Sequence, residues 1–461
     1  MRTMVSHRRP LPSPLRRRLL QAMVASGLVA SVERNLALAQ SAADYKALVC
    51  LFLAGGNDGE NTLIRNDTAG YQQYAAVRTP GSGINIPQAQ LAPIQPLNLT
   101  TPYGFHPACA PLKTLFDQRR LAVLANVGVL AQPSARAGLE NGSTRRPANL
   151  FSHSDQELSL QSADASGFTR TGWGGRLADR LEASTPQSLF PALTSINALK
   201  TWTAGQTSIP LTVPDGPWFT MFGSMRGNFD VLRDAALREI LALPRANVYD
   251  DVAQILAEEG LAASSVVFPI LNNQQSIVAP HFASINSQVG RQLKVIAMMI
   301  EGRAQTGVRR QVFFANHGPY DTHGGQAGLH HSLLDGLSRA LVAFDAAMNA
   351  LGVSSQVTTF TLSEFGRTFK PAANAGTDHG WGNYAFMMGG AVRGGQFYGT
   401  VPNHALDGPD DLGKDGRWIP TTSIETYGAT LVRWLGVAEG DLPYIFPNLG
   451  AFAVKDLGMF A

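Results

Sequence analysis

The sequence predicts an α/β protein: three layers, α/β/α, around a mostly parallel central sheet. Three observations carry this. Residues 46–54 (KALVCLFLA) and 121–129 (LAVLANVGV) are unbroken apolar runs of strand length. Such runs mark strands covered on both faces, as in parallel sheets. The C-terminal half alternates strand-like and helix-like patterns, which places helices against a parallel sheet. Finally, 461 residues with 44% hydrophobic and 15% charged content are ample for a large core and exclude a disordered chain.

The elements follow in order. The first strand, 46–54, ends at Gly55-Gly56. Residues 79–104, rich in Pro, Gly, Gln and Thr, read as a long surface excursion. A helix over 110–118 leads into the strand 121–129, and 131–150 reads as a polar, basic loop. Helical spacing returns at 156–161 and 175–181. Residues 185–225 mix Pro, Gly and aromatics without a period and are expected to be an inserted cap or loop layer. Residues 228–260 are predicted helical, with Leu232, Leu237, Ile240 and Leu241 on one face. Another helix spans 284–303. Then come a strand at 311–315, a helix at 329–351, strands at 356–362 and 384–388, and a helix at 424–435 stopped by Gly436. The helix 329–351 carries Leu333, Leu334, Leu337, Leu341, Phe344 and Met348 at three- and four-residue spacing.

The N-terminus reads as an export signal rather than as fold. Arg16-Arg17-Arg18-Leu19-Leu20 opens an apolar stretch that ends in the small-residue pattern Ala37-Leu38-Ala39. Paired arginines before x-Leu-Leu match a twin-arginine signal. The expected division is therefore a signal peptide at 1–39 and one domain at 40–461, delivered by the twin-arginine machinery to the periplasm or beyond. The apolar stretch is too short and interrupted for a stable membrane span. Seven Arg and one Glu lie in 1–39, so the rest keeps 30 of 37 basic and 33 of 34 acidic residues, a net charge of −3. That balance shows no nucleic-acid footprint. Cys50 and Cys109 permit one disulfide or two free buried thiols.

Chemistry concentrates in Gly-rich turns after strand-like runs. Asp58 lies in GGNDGEN, Asp321 and His323 in YDTHGG, Glu364 and Arg367 in SEFGR, Asp378 and His379 in TDHGWG. Carboxylates and imidazoles at strand ends are the ligand types of a divalent metal site. Asp321 and His323 are alternate residues, so an extended backbone turns both to one side. The metal ligands are expected to be Asp58, Asp321, His323, Glu364, Asp378 and His379, meeting in one pocket. Each turn also has a plainer reading: an Asn-Asp-Gly turn at Asp58, helix capping at Asp321, a Glu364–Arg367 surface ion pair. Arg367 has the guanidinium needed to hold an oxyanion. Ser152, in Ser-His-Ser-Asp before a helix, is placed as a nucleophile, with helix capping by Ser152 or Ser154 as its alternative. His106, His281, His317 and His404 read as structural; His330 and His331, in the first turn of the long helix, are expected at the solvent surface, with approach of one of them to the site as the alternative.

The twin-arginine leader, GGNDG, FHPACAPL with RLAVLANVG, the Ser-His element, DTHGG, SEFGR, DHGWG and ATLVRWLG occur in one order. That order, over roughly residues 45–450, resembles the exported bacterial family named domain of unknown function 1501. The family is similar to the alkaline phosphatase and sulfatase superfamily, and this resemblance implies an alkaline phosphatase-like fold. It implies metal at the carboxyl edge of the sheet: Asp58 as first ligand, Asp321 and His323 on one metal, Glu364 on another, His379 with Asp378 as the late ligand pair, and Ser152 as nucleophile. The chain departs from the superfamily pattern in having Phe365 after Glu364, a shorter Asp-to-His spacing, and His317 where Gly is commoner.

The expected function is an exported metal-dependent hydrolase of phosphate or sulfate esters. Its cofactor would be zinc, manganese, magnesium or calcium, and its substrate a small anionic ester. The alternative is a non-catalytic exported protein on the same fold that binds a partner or cell-surface polymer through an exposed apolar patch.

Overall fold

Nine strands make the main sheet of the computed structural model, which describes residues 44–184, 190–216, 228–243 and 247–461. The proposed signal peptide, residues 185–189 and residues 217–225 of the proposed cap lie outside them. The strands are β1 (Lys46–Leu53), β5 (Leu121–Gly128), β6 (Leu193–Ile196), β7 (Leu211–Val213), β8 (Arg310–His317), β9 (Val357–Leu362), β10 (Asn383–Met388), β11 (Phe397–Gly399) and β12 (Thr422–Ser423). Their order is β11-β5-β10-β9-β1-β8-β6-β7, with β12 also on β5. β1 pairs in parallel with both β8 and β9, which makes it the central strand. Its residues from Ala47 onward are buried, as an apolar run without alternation requires. β10 runs antiparallel to β5 and to β9, so the sheet is mixed but mostly parallel.

Helices cover both faces. On one, α4 (Trp173–Ser184) and α9 (Ile424–Leu435) pack Trp173, Leu177, Tyr427 and Leu431 against Leu48, Cys50 and Phe52 of β1 and their neighbours Val312, Phe314 and Phe360. On the other lie α7 (Gln288–Glu301) and α8 (Gln326–Ala350). The Gln292 amide pairs with the backbone of Asn316 at the end of β8, and His317 Nε2 lies 2.9 Å from the Leu333 carbonyl. Leu333, Leu334, Leu337, Leu341, Phe344 and Met348 are all buried, as their spacing predicts.

Two regions differ from the sequence reading. Residues 79–104 are not only a loop. Short strands β3 (Ala92–Ile94) and β4 (Tyr103–Phe105) pair there and, with β2 (Leu63–Arg65) upstream, make a small antiparallel sheet. Likewise β6 and β7, within the segment expected to be a cap, extend the main sheet beyond β8. Strands of three or four residues are too short to show a period.

Residues 228–260 resolve into α5 (Asn228–Ala242) and α6 (Val248–Leu271), the latter capped by Asn247, whose side chain accepts the Tyr249 and Asp250 amides. Leu232, Ile240, Tyr249, Val252, Ile255 and Leu256 on these helices are exposed, as is Leu243 just after the first. Tyr249–Leu271 is long and apolar enough to cross a membrane by length and composition. Cys50 and Cys109 are free and buried.

Candidate metal centre

Four side chains from two loops beside strands and one helix start converge. His153 opens α3 (His153–Ser162), Asp321 and His323 follow β8, and His379 precedes β10. One ligand atom from each lies within 4.8 Å of the others. Asp321 Oδ1 is the hub, with His323 Nε2 at 2.9 Å, His153 Nε2 at 3.2 Å and His379 Nε2 at 3.6 Å. His323 Nε2 and His379 Nε2 are 2.8 Å apart. Asp321 and His323 are exposed, His153 and His379 half-buried. The group therefore opens to solvent at the sheet edge instead of lying in a closed interior pocket.

Local sequence explains the convergence. Gly55, at φ +108°, ends β1, and a Cβ there would stand 2.5 Å from the Asp321 amide nitrogen. Only Gly lets the β1 turn touch the 320–321 backbone this closely. Across the site, a Cβ on Gly376 would meet the His323 carbonyl carbon and oxygen at 2.2 Å, so the 376–379 loop lies directly on the DTH turn.

The surroundings fix the ring orientations. His153 Nδ1 lies 3.1 Å from Glu364 Oε1, and His379 Nδ1 lies 2.7 Å from the Phe151 carbonyl. Both acceptors require the N–H on Nδ1, leaving each Nε2 lone pair facing Asp321. The arrangement matches the carboxylate or carbonyl partners that orient metal-bound imidazoles. Buried His153 Nε2 makes no hydrogen bond, although Asp321 Oδ1 is at contact distance. Three imidazole nitrogens and a carboxylate oxygen, two of them preset as acceptors and crowded together, form a donor set that fits a cation.

Charge follows the same geometry. The Glu364 hydrogen bond, opposed by burial and helped by the Asp321 charge, raises His153 above the usual imidazole range. Burial pushes Asp321 upward, but the Arg367 hydrogen bond and the charges of His153, Arg367 and His323 together hold it below the usual carboxylate range. His379 is lowered, first by burial, with the Phe151 carbonyl opposing and nearby positive charge adding to the fall.

The other residues expected at the metal stand elsewhere. Asp58 is wholly buried in an ion pair with Arg78, whose Nη1 and Nη2 lie 2.8 and 3.0 Å from its oxygens. Gln326 Nε2 also donates to Asp58 Oδ2, and the Asn61 amide to Oδ1. With both oxygens engaged, Asp58 anchors its own turn and lies outside the four-residue group. Glu364 stands behind His153, and its Oε1 also accepts the Gly55 amide at 2.7 Å. Asp378 faces Arg417 at 3.1 Å and the His379 amide, with His323 Nδ1 at 3.9 Å. It lies outside the four-residue group.

Arg367 does not present a free fork for an oxyanion. It is buried, donating to Asp321 Oδ1 at 2.9 Å, to Gly55 O, and to Thr377 through Nε and Nη2. It orients Asp321. The Ser152 hydroxyl donates to Asp155 Oδ2 at 2.6 Å. His330 lies on Asn57 Oδ1, outside the group.

His153 is the member of the group that sequence reading missed. The signal was present in Ser-His-Ser-Asp, but a His between two serines before a helix reads first as part of a cap, although the Ser152 and Ser154 hydroxyls in fact turn to Asp155. Arg417, half-buried at the rim, was missed too. It donates to the His379 carbonyl and lies over the Phe151 ring, 4.9 Å from its centroid.

No curated protein matches the chain. Among solved structures, it is similar to the PsFucS1 sulfatase from Pseudoalteromonas sp., at 11% identity over 93% of this chain and 77% of that one, TM-score 0.36. It is also similar to the C-terminal periplasmic domain of EcEptC from Escherichia coli, in complex with Zn, at 8% identity over 75% and 72%, TM-score 0.27. Likeness at this level assigns no reaction. Over residues 282–412, which carry DTHGG, SEFGR and DHGWG, the chain matches the family described as Protein of unknown function (DUF1501).

Proposed function

We propose that this is an exported, metal-dependent hydrolase of phosphate or sulfate esters on an alkaline phosphatase-like fold. The observation that carries the reading is the meeting of His153, Asp321, His323 and His379 at one solvent-open point. A divalent ion held by these four residues would supply Lewis acidity toward an ester oxygen and an attacking hydroxyl. Glu364 and the Phe151 carbonyl hold two imidazoles in their acceptor tautomers, and Arg367 holds Asp321. The exposed side of Asp321 and His323 is where a small anionic ester enters. Ser152, next in sequence to His153, supplies the nucleophilic hydroxyl once released from Asp155. Export by the twin-arginine route and a periplasmic or secreted location belong to the same proposal.

A panel of aryl phosphate, phosphonate and sulfate esters tests it. Turnover by the metal-loaded protein is expected, lost in His323→Ala and in Ser152→Ala. No turnover of any ester by metal-loaded wild type would reject the hydrolase reading.

Two observations favour the second reading, a non-catalytic exported binding protein. Four protein donors satisfy a tetrahedral ion without an open position, the habit of structural sites. The exposed apolar side chains of α5 and α6 supply a surface for a partner or cell-surface polymer. On that reading metal removal lowers stability and the ester panel stays silent.

A further inference from the structure

We infer that the centre takes one borderline divalent ion of the zinc type, bound through His153 Nε2, Asp321 Oδ1, His323 Nε2 and His379 Nε2, and is neither a calcium or magnesium site nor half of a two-metal site. This rests on the metal-binding part of the reading above and is independent of ester chemistry.

Donor chemistry comes first. Three of the four converging atoms are imidazole nitrogens. Calcium takes six to eight oxygens and magnesium an octahedron of oxygens. Imidazole suits zinc and its transition-metal neighbours. A tetrahedral ion with bonds of about 2 Å spaces its donors by about 3.3 Å. The spacing here, within 4.8 Å, needs only small side-chain shifts to meet that. The tautomers are already set, because the Nδ1 atoms of His153 and His379 face the Glu364 carboxylate and the Phe151 carbonyl.

The second metal fails for lack of ligands. A dinuclear site would draw on Asp58, Glu364 and Asp378. Asp58 is closed off by Arg78 and Gln326. Glu364 Oε1 is held by Gly55 and His153, which leaves Oε2 as a single unpartnered oxygen. Asp378 is turned to Arg417. Among the described residues, no second group of three or more His, Cys, Asp or Glu comes together.

The test uses the full chain stripped by chelation and titrated with cobalt(II), followed by visible absorption, with zinc, calcium and magnesium as competitors and circular dichroism as a check of fold. Expected are one cobalt per chain with an intense tetrahedral band, displacement by one equivalent of zinc, and no displacement by millimolar calcium or magnesium. His323→Ala, at an exposed position, should weaken cobalt binding at least 100-fold with the circular dichroism unchanged, and His331→Ala should change nothing. Two equivalents bound, or displacement by calcium or magnesium, would overturn the inference. One zinc bound without turnover of any ester rejects only the hydrolase reading. Absence of any bound metal rejects both.

Discussion

His153 Nδ1 lies 3.1 Å from Glu364 Oε1, across 211 residues of chain, and the same oxygen accepts the Gly55 amide. One buried carboxylate thus ties the end of β1, the end of β9 and the start of α3 into a single unit, and turns His153 Nε2 toward Asp321. An imidazole at a helix start becomes a directed donor.

Glu364→Ala should therefore weaken zinc binding by about 10- to 100-fold, the usual cost of losing such a partner. Isothermal titration with zinc checks this. Unchanged affinity would mean that Glu364 does not orient His153.

Asp58→Asn should behave differently. It leaves the Arg78 guanidinium buried without its counter-charge, a defect costing about 3–5 kcal/mol. Urea unfolding should show that loss, while the folded variant still binds one metal. Loss of metal at full stability would return Asp58 to the ligand set.

Gly55→Ala places a Cβ in the left-handed backbone region, against the Asp321 amide. Strain on the order of 1–3 kcal/mol follows. Both the unfolding midpoint and zinc affinity should fall, because the displaced backbone carries Asp321 itself. A stability loss with zinc affinity intact would show that the turn does not position the ligand.

Away from the site, burial pushes Glu425 up to about 7, and its Oε2 has no partner. The folded chain keeps this proton while the unfolded chain, with an ordinary carboxyl near 4.3, releases it. Stability from this group is therefore full below about pH 4.3, falls as pH rises, and levels off above about 7. Glu425→Gln should remove that part of the slope, seen as a smaller loss in unfolding free energy between pH 5 and 7 than in wild type. Parallel pH profiles would contradict it.

The sequence shows the sheet core plainly and the site in part. β1 and β5 are long apolar runs, β8 and β9 carry shorter apolar stretches, and α8 has a clean helical period, so burial on two faces or one is written into residue spacing. The antiparallel direction of β10 is not, because hydrophobicity carries no strand polarity. Asp321, His323 and His379 are visible as acid and imidazole beside glycines. Asp58 looks the same, and what distinguishes it is Arg78, 20 residues on, reaching back from the end of α1 (Thr68–Val77). Arg367 is misleading for a similar reason: its partners Asp321 and Gly55 arrive from two other segments, and Thr377 from further along its own loop. Pairings of this kind are set by tertiary packing and leave no local period to read.

Anomalous diffraction above the zinc edge, from crystals of zinc-loaded protein, tests the central claim most directly. One peak per chain is expected, within bonding distance of His153 Nε2, Asp321 Oδ1, His323 Nε2 and His379 Nε2, with Asp58 still on Arg78. A peak coordinated by Asp58 or Asp378, or no peak among the four side chains, would contradict it.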